Sequence, residues 1–255
     1  AVRENIPGIE EFETQFASSL VRNLATLGGN IVNASPVADL SAMLLGLGAW
    51  VELGSLSGAG RERRRQSLDS FFIGYKKTAM EAGEFVAAIL LPASSEGSEF
   101  AGSGAYDGEQ GGKSLTGRFE GGIGFGARGG RLFFSFEKAA KRDNLDIAAV
   151  NTAMSFRMDD AFARSVRISA GGVAEVPLLL GKAASAMEGS RIKGAKAKDL
   201  AELCRTVRKL AEEELRPIDD VRGSASYRRS MIGRLVQAHF LRFFARDGIA
   251  EELEP

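Results

Sequence analysis

Between Ser94 and Gly130 the chain carries 13 glycines in 37 residues, with isolated apolar positions and no repeat of period 2 or 3.6. A stretch of this kind cannot bury enough apolar surface to offset the entropy of ordering it. Folding must therefore happen on either side. The segment 94–130 reads as a long loop or partly disordered insertion, separating a unit over 1–93 from a second over 131–255. At 255 residues in all, two ordinary cores are possible.

The second unit is the more regular. "RLFFSFEKAA" from Arg131, "IAAVNTAMSFRM" from Ile147 and "ARSVRISAGGVA" from Ala163 alternate as strands do, separated by the polar turns "KRDNLD" and "DDAF". Three antiparallel strands are the economical reading. "VPLLLGKAASAMEG", "AKDLAELCRTVRKLAEEEL" and "SASYRRSMIGRLVQAHFLRFFARDG" follow helical periods, and Ile232, Leu235, Val236, His239, Phe240 and Phe243 share one face of the last. A sheet covered by helices is what such stripes require.

The first unit mixes both types, so the class is α+β. Ile9, Phe12, Phe16 and Leu20 predict a helix over 9–22. Ser35 and Pro36 predict the cap and first turn of a short buried helix through "VADLSAMLLGLG", ended by Gly46 or Gly48. "AWVELGS" and "EFVAAILLP" predict strands, the second buried and stopped by Pro92.

Lys plus Arg and Asp plus Glu both number 33, so the balance of charge argues for neither a nucleic-acid nor a membrane partner. Cys204 is the only cysteine, which excludes an internal disulfide and a cysteine-built metal or iron–sulfur site, and fits a reducing cytoplasm. The longest apolar run, "FVAAILLPA", is too short for a bilayer, and no signal pattern opens the chain. Because residue 1 is Ala, a start inside a longer gene product and a cloning or processing origin are both open.

Attention then falls on "TLGGN" at 26–30. Main-chain N–H groups can hold a diphosphate where no Cβ obstructs them, with Thr26 and Asn30 adding polar side chains. Most Gly-Gly pairs are plain turns, and this one is neither a G-x-G-x-x-G fingerprint nor a Walker loop. Other residues read as structural. His239 is a packed imidazole and Cys204 a small core residue. "RERRRQ" at 61–66 reads as a solvated turn, with a basic patch facing an acidic subunit as the alternative. Ser224 is a helix cap, with Arg222 and Arg228 tying the helix start to the loop before it. On the residues alone, Asp39 reads equally as a local cap and Lys138 as an exposed lysine in a surface pair.

Six stretches in order carry a wider resemblance: "VRNLATLGGNIVNASPVADLSAMLLGLGAWVEL", "LDSFFIGYKKT", "GEFVAAILLP", "FSFEKAAKRDNLDIAAVNTAMSF", "ISAGGVAEVP" and "DDVRGSASYRRSM". From about Val21 to Phe244 the chain resembles the FAD-binding medium subunit of the molybdenum hydroxylases, the xanthine dehydrogenase and carbon monoxide dehydrogenase family. The resemblance implies the second half of a PCMH-type FAD-binding domain over 1–93 and a CO dehydrogenase flavoprotein C-terminal-like domain over 131–255. It implies that Thr26, Gly28, Gly29 and Asn30 cradle the FAD pyrophosphate, that the side chain of Asn33 reaches the cofactor, and that Asp39 hydrogen-bonds it. By the same resemblance Val86 packs on the isoalloxazine and Lys138 approaches the flavin. The implied partners are a molybdopterin-binding large subunit and a [2Fe–2S] small subunit in a cytoplasmic heterotrimer, with NAD or another electron acceptor; no catalytic acid or base is expected here.

The chain also departs from that pattern. A second glycine loop of A-G-G-(S/T) type is not found, because "SAGGVAE" at 169–175 falls in the turn of the C-terminal sheet. Weak FAD binding, and purified protein without flavin absorbance, are therefore expected, and a flavin-free assembly or binding protein is the second reading. Leu145 stands where members that use NAD often carry an acidic residue. The segment 94–130 sits where one branch of the family holds an extra iron–sulfur cluster, but it has no cysteine.

Overall fold

A computed structural model describes residues 12, 16–57, 60–92, 101–102, 131–142 and 146–253. Most of the glycine-rich segment, with the insertion expected there, and Leu145 lie outside the described residues. Within the glycine-rich segment, Ala101–Gly102 pairs with Leu90 and Leu91 as a two-residue strand.

The helix expected over 9–22 is not continuous. Ala17 has φ 48°, and Ser18 then caps a fresh helix, α1 (Ser19–Leu24), by accepting from the Val21 N–H at 3.1 Å. Phe12 and Phe16 do reach the core, stacked at 5.7 Å, with Phe12 edge-on to Phe136. Leu20, expected on the same buried face, is 77% exposed. Helix α2 (Leu27–Val32) contains both glycines, and α3 (Asp39–Gly46) follows.

Ser35 and Pro36 do not start α3. The Ser35 carbonyl accepts from Ala38 N–H to close a turn, and the Pro36 carbonyl accepts from Gly172 N–H at 2.7 Å. Both are spent on a loop whose Ala34 has φ 45°. Ala38 takes the cap position without a side-chain bond, and the helix ends at Gly46, with Gly48 left-handed at φ 73°.

A four-stranded sheet follows, in the order β2-β1-β5-β6, from β1 (Trp50–Ser57), β2 (Gly60–Ser67), β5 (Glu84–Leu91) and β6 (Ala101–Gly102). β3 (Phe72–Gly74) and β4 (Lys77–Thr78) form a small separate ladder. "RERRRQ" is no turn but most of edge strand β2. Arg63 and Arg65 reach Glu52 at 2.5 and 3.0 Å, and Arg64 reaches Glu84 at 2.6 Å. Pairing with acids of neighbouring strands satisfies the arginines where a turn would have left them in water. β5 is less buried than its composition suggests: Leu90 is buried, whereas Phe85 is 48% exposed.

The second sheet, in the order β10-β9-β8-β7, is antiparallel throughout: β7 (Leu132–Ala139), β8 (Val150–Asp159), β9 (Phe162–Gly171) and a fourth short strand, β10 (Leu178–Leu179). β10 takes the first leucines of a stretch expected to be helical, leaving α4 as Gly181–Met187. α5 (Ala197–Glu214), α6 (Ala225–Phe244) and α7 (Ile249–Leu253) complete the chain.

Both faces of this sheet are covered. Val150, Met154 and Phe156 of β8 join Leu200, Val207, Ile232, Val236 and Phe240 in the helix-side core. Ala153, from the opposite face of the same strand, packs with Leu40, Met43 and Leu47 of α3. Small residues let α3 lie close: a Cβ on Gly46 would stand 2.7 Å from that of Ala153, and Ser155 and Ser169 donate to the Gly46 and Ala42 carbonyls. Being covered all round, α3 has no polar face.

Candidate functional site

The expected anion cradle is a helix start rather than a turn. Thr26, extended at φ −115° and ψ 147°, caps α2 by accepting from Gly29 N–H at 3.0 Å, while its carbonyl accepts from Asn30 N–H at 3.0 Å. The Gly29 amide is thus engaged by the chain itself. The N–H groups of Leu27 and Gly28 have no partner among the described residues, as expected of a first helical turn.

The two glycines answer to different constraints. A Cβ on Gly29 would come within 2.9 Å of Thr26 Oγ1, so the cap alone accounts for that residue. At Gly28 the nearest atom to such a Cβ would be Val86 Cβ at 3.5 Å, an ordinary contact. Among the described residues nothing in the packing requires glycine there, although it costs a helix interior about 1 kcal/mol relative to alanine. Asn30 Oδ1 is buried without a partner, Asn33 ends the helix with its side chain exposed, and Val86 on β5 is half-buried beside Gly28.

Asp39 and Lys138, assigned separately from the sequence, meet one another. Lys138 Nζ on β7 donates to Asp39 Oδ2 and to the Asp146 carbonyl, each at 2.7 Å, and the paired side chains are only 9% and 8% exposed. Neither structural alternative fits them, because Asp39 makes no helix cap and Lys138 is no surface lysine. Burial raises the Asp39 pKa above the ordinary carboxylate value, opposed by Lys138 and by the Asn151 amide. Asn151, which donates to Asp39 Oδ1 at 2.7 Å, was not among the expected residues. Its one signal is a large polar side chain on the otherwise small-residue face of "VNTAMSF".

The residues read as structural behave so. His239 is fully buried, with Ser135 Oγ 2.5 Å from Nδ1 and Thr152 Oγ1 2.8 Å from Nε2. Burial, assisted by Arg242, pushes its pKa down to about 3. Burial of Cys204 pushes its thiol up to about 12, far from a reactive thiolate. Ser224 caps α6, and Arg228 holds Asp220 at 2.5 Å and the Gly172 carbonyl at 2.6 Å.

Comparison with known proteins matches residues 1–94 to the FAD binding domain in molybdopterin dehydrogenase, and 135–243 to the CO dehydrogenase flavoprotein C-terminal domain. Nicotinate hydroxylase hnxS of Emericella nidulans is 30% identical over 232 residues, covering 90% of this chain and 14% of its own length. Xanthine dehydrogenase of Blastobotrys adeninivorans is 27% identical over 240 residues, covering 94% of this chain and again 14% of its own length. The chain therefore spans about a seventh of these relatives. Among solved structures, a carbon monoxide dehydrogenase from Hydrogenophaga pseudoflava that lacks the Mo-pyranopterin moiety of the molybdenum cofactor superposes with a TM-score of 0.71 at 24% identity. That match covers 96% of this chain and 70% of the other, and establishes likeness of fold. No helix among the described residues is long and apolar enough to cross a membrane.

Proposed function

Because the chain belongs to the FAD-binding flavoprotein subunits of the molybdenum hydroxylase family, we propose that the open start of α2 receives the pyrophosphate of FAD. The Leu27 and Gly28 amides and the Thr26 hydroxyl donate to phosphate oxygens, with Gly29 holding the threonine in place. Asn30 and Asn33 are the neighbouring polar groups, and Val86 is the apolar wall beside them. The Lys138 ammonium, held by Asp39, favours negative charge nearby. When bound, FAD would supply exchange of electrons between an iron–sulfur partner and an acceptor such as NAD. The chain supplies positioning and electrostatics, in an oxidoreductase whose substrate is handled elsewhere.

The partners that fit are a molybdopterin-binding subunit and a [2Fe–2S] subunit, in a cytoplasmic heterotrimer. The family resemblance implies them, and the match to the FAD binding domain in molybdopterin dehydrogenase supports the first. The same reading divides the chain into an FAD-binding unit over 1–93, an insertion over 94–130 and a flavoprotein C-terminal unit over 131–255.

The observation that carries the reading is Gly28, a helix-weakening residue that no neighbour among the described residues demands. Substituting it separates fold from ligand. In Gly28→Ala the flavin-free chain should gain up to about 1 kcal/mol of stability, while the new methyl weakens FAD binding tenfold or more, read by quenching of flavin fluorescence. Unchanged FAD affinity in G28A, or no binding to the original chain, would overturn the proposal. One observation favours the second reading, a flavin-free assembly protein: Asp39 and Lys138 already satisfy each other without a ligand.

A further inference from the structure

Loop 33–38, which joins α2 to α3, rests on the end of the second sheet, at a group of residues that the flavin reading leaves unused. Asn151, fully buried on β8, donates Nδ2 to Asp39 Oδ1 at 2.7 Å and, more weakly, to the Val37 carbonyl at 3.4 Å. Gly171, its partner across the ladder, leaves the room it needs: a Cβ there would stand 2.3 Å from Asn151 Oδ1 and 3.1 Å from the Pro36 carbonyl. Gly172, left-handed at φ 79°, donates to that same carbonyl at 2.7 Å.

The amide of Asn151 has one workable orientation. Turned over, its oxygen would face a carboxylate and a carbonyl, which are both acceptors. As placed, Oδ1 is buried without a partner. An unsatisfied buried acceptor forfeits its hydration without replacement, a cost that a purely space-filling residue would avoid. Whatever retains asparagine here must act through its donor side, and that side is aimed at Asp39.

We infer that Asn151 is a positioning residue for the flavin site: its amide fixes the Asp39 carboxylate against Lys138, and so sets where the Lys138 ammonium stands. The inference rests on the reading that Asp39 and Lys138 border the flavin. Among the described residues the charged group facing Asp39 is Lys138, from β7. β8 supplies the uncharged Asn151, β9 supplies Gly171 with Gly172 following it, and Asp146 meets Lys138 through its backbone carbonyl.

Two measurements distinguish failure of the inference from failure of that reading. In the flavin-free protein, the Asp39 carboxyl carbon is followed by NMR against pH in the original chain and in Asn151→Ala. Loss of a hydrogen bond to the charged form should move the Asp39 midpoint upward; an unmoved midpoint overturns the inference whatever FAD does. With FAD added at pH 7, N151A should weaken binding roughly tenfold, and should cost nothing further in an Asp39→Asn background. Full additivity would reduce Asn151 to a structural role and overturn the inference. If the original chain binds no FAD, the flavin reading falls, while the Asp39 titration still decides what Asn151 does. Should N151A fail to fold, Asn151→Ser, whose hydroxyl is too short to span the same bond, replaces it in both measurements.

Discussion

Helices α1 and α6 show two ways in which an apolar sequence can be used. Along α6, Ile232, Leu235, Val236 and Phe240 are buried, the imidazole of His239 is bonded at both nitrogens, and Arg228 is matched by Asp220 and a carbonyl. Along α1 no residue is buried, and Leu20, Val21 and Leu24 are 77%, 51% and 87% exposed. The neighbouring α2 continues the pattern with Leu27 and Val32. One helix is completed by its own chain; the other presents an apolar surface that the described residues do not cover. The expected flavin contacts divide in the same way: Asp39 and Lys138 lie in the closed region, while Thr26 and Gly28 stand at the open one.

The comparison breaks most visibly if α6 is not the cohesive element. Phe240→Ala should cost about 3–5 kcal/mol in a urea titration, and a loss under about 1 kcal/mol would remove the contrast. Next in size is the buried ion pair between α3 and β7. Asp39→Asn, by leaving the Lys138 ammonium without its carboxylate, should cost roughly 3 kcal/mol, and Asp39→Asn/Lys138→Met should recover more than half of that. Equal losses in the single and double variants would mean that the pair does not couple α3 to β7.

A pH series sharpens the closed side further. Folded His239, with its pKa at about 3, stays neutral in the range where the same side chain in the unfolded chain, with an ordinary value near 6.5, takes up a proton. Protons therefore favour the unfolded state in that window. Stability should fall as pH drops from about 6.5 towards 3, with His239 contributing about 1.4 kcal/mol per pH unit. His239→Gln should show a shallower slope. The smallest effect belongs to the open side: Leu24→Ser should change the stability of the isolated chain by less than about 0.5 kcal/mol. A loss above about 1 kcal/mol would show that α1 is cemented to the fold after all.

Elements whose side chains answer to their own period were legible in the sequence. The alternation of β7, β8 and β9, and the stripe of α6, needed only spacing. α3 and β2 were harder for opposite reasons. The start of α3 is set by the Pro36 carbonyl bonding to Gly172, a contact between residues more than a hundred positions apart, so local cap chemistry at Ser35 misleads. β2 is rich in arginine and resembles a solvated turn until Glu52 and Glu84 are placed across the ladder.

The site divides along the same line. Gly28 and Thr26 belong to a local motif and could be singled out within five residues. The meeting of Asp39 with Lys138, and the hand of Asn151 in it, joins α3 to β7 and β8 and has no local signature. The resemblance to a family placed Asp39 and Lys138 near one cofactor without revealing that they touch.

The arginine-bearing strand β2 lies at the rim of its sheet, and its cations are already clasped by acids one and two strands inward. A second molecule approaching that rim would have to align its own row of guanidinium groups beside these. Any strand added there would have to accommodate or displace those ion pairs, which guards this edge of the sheet against strand addition.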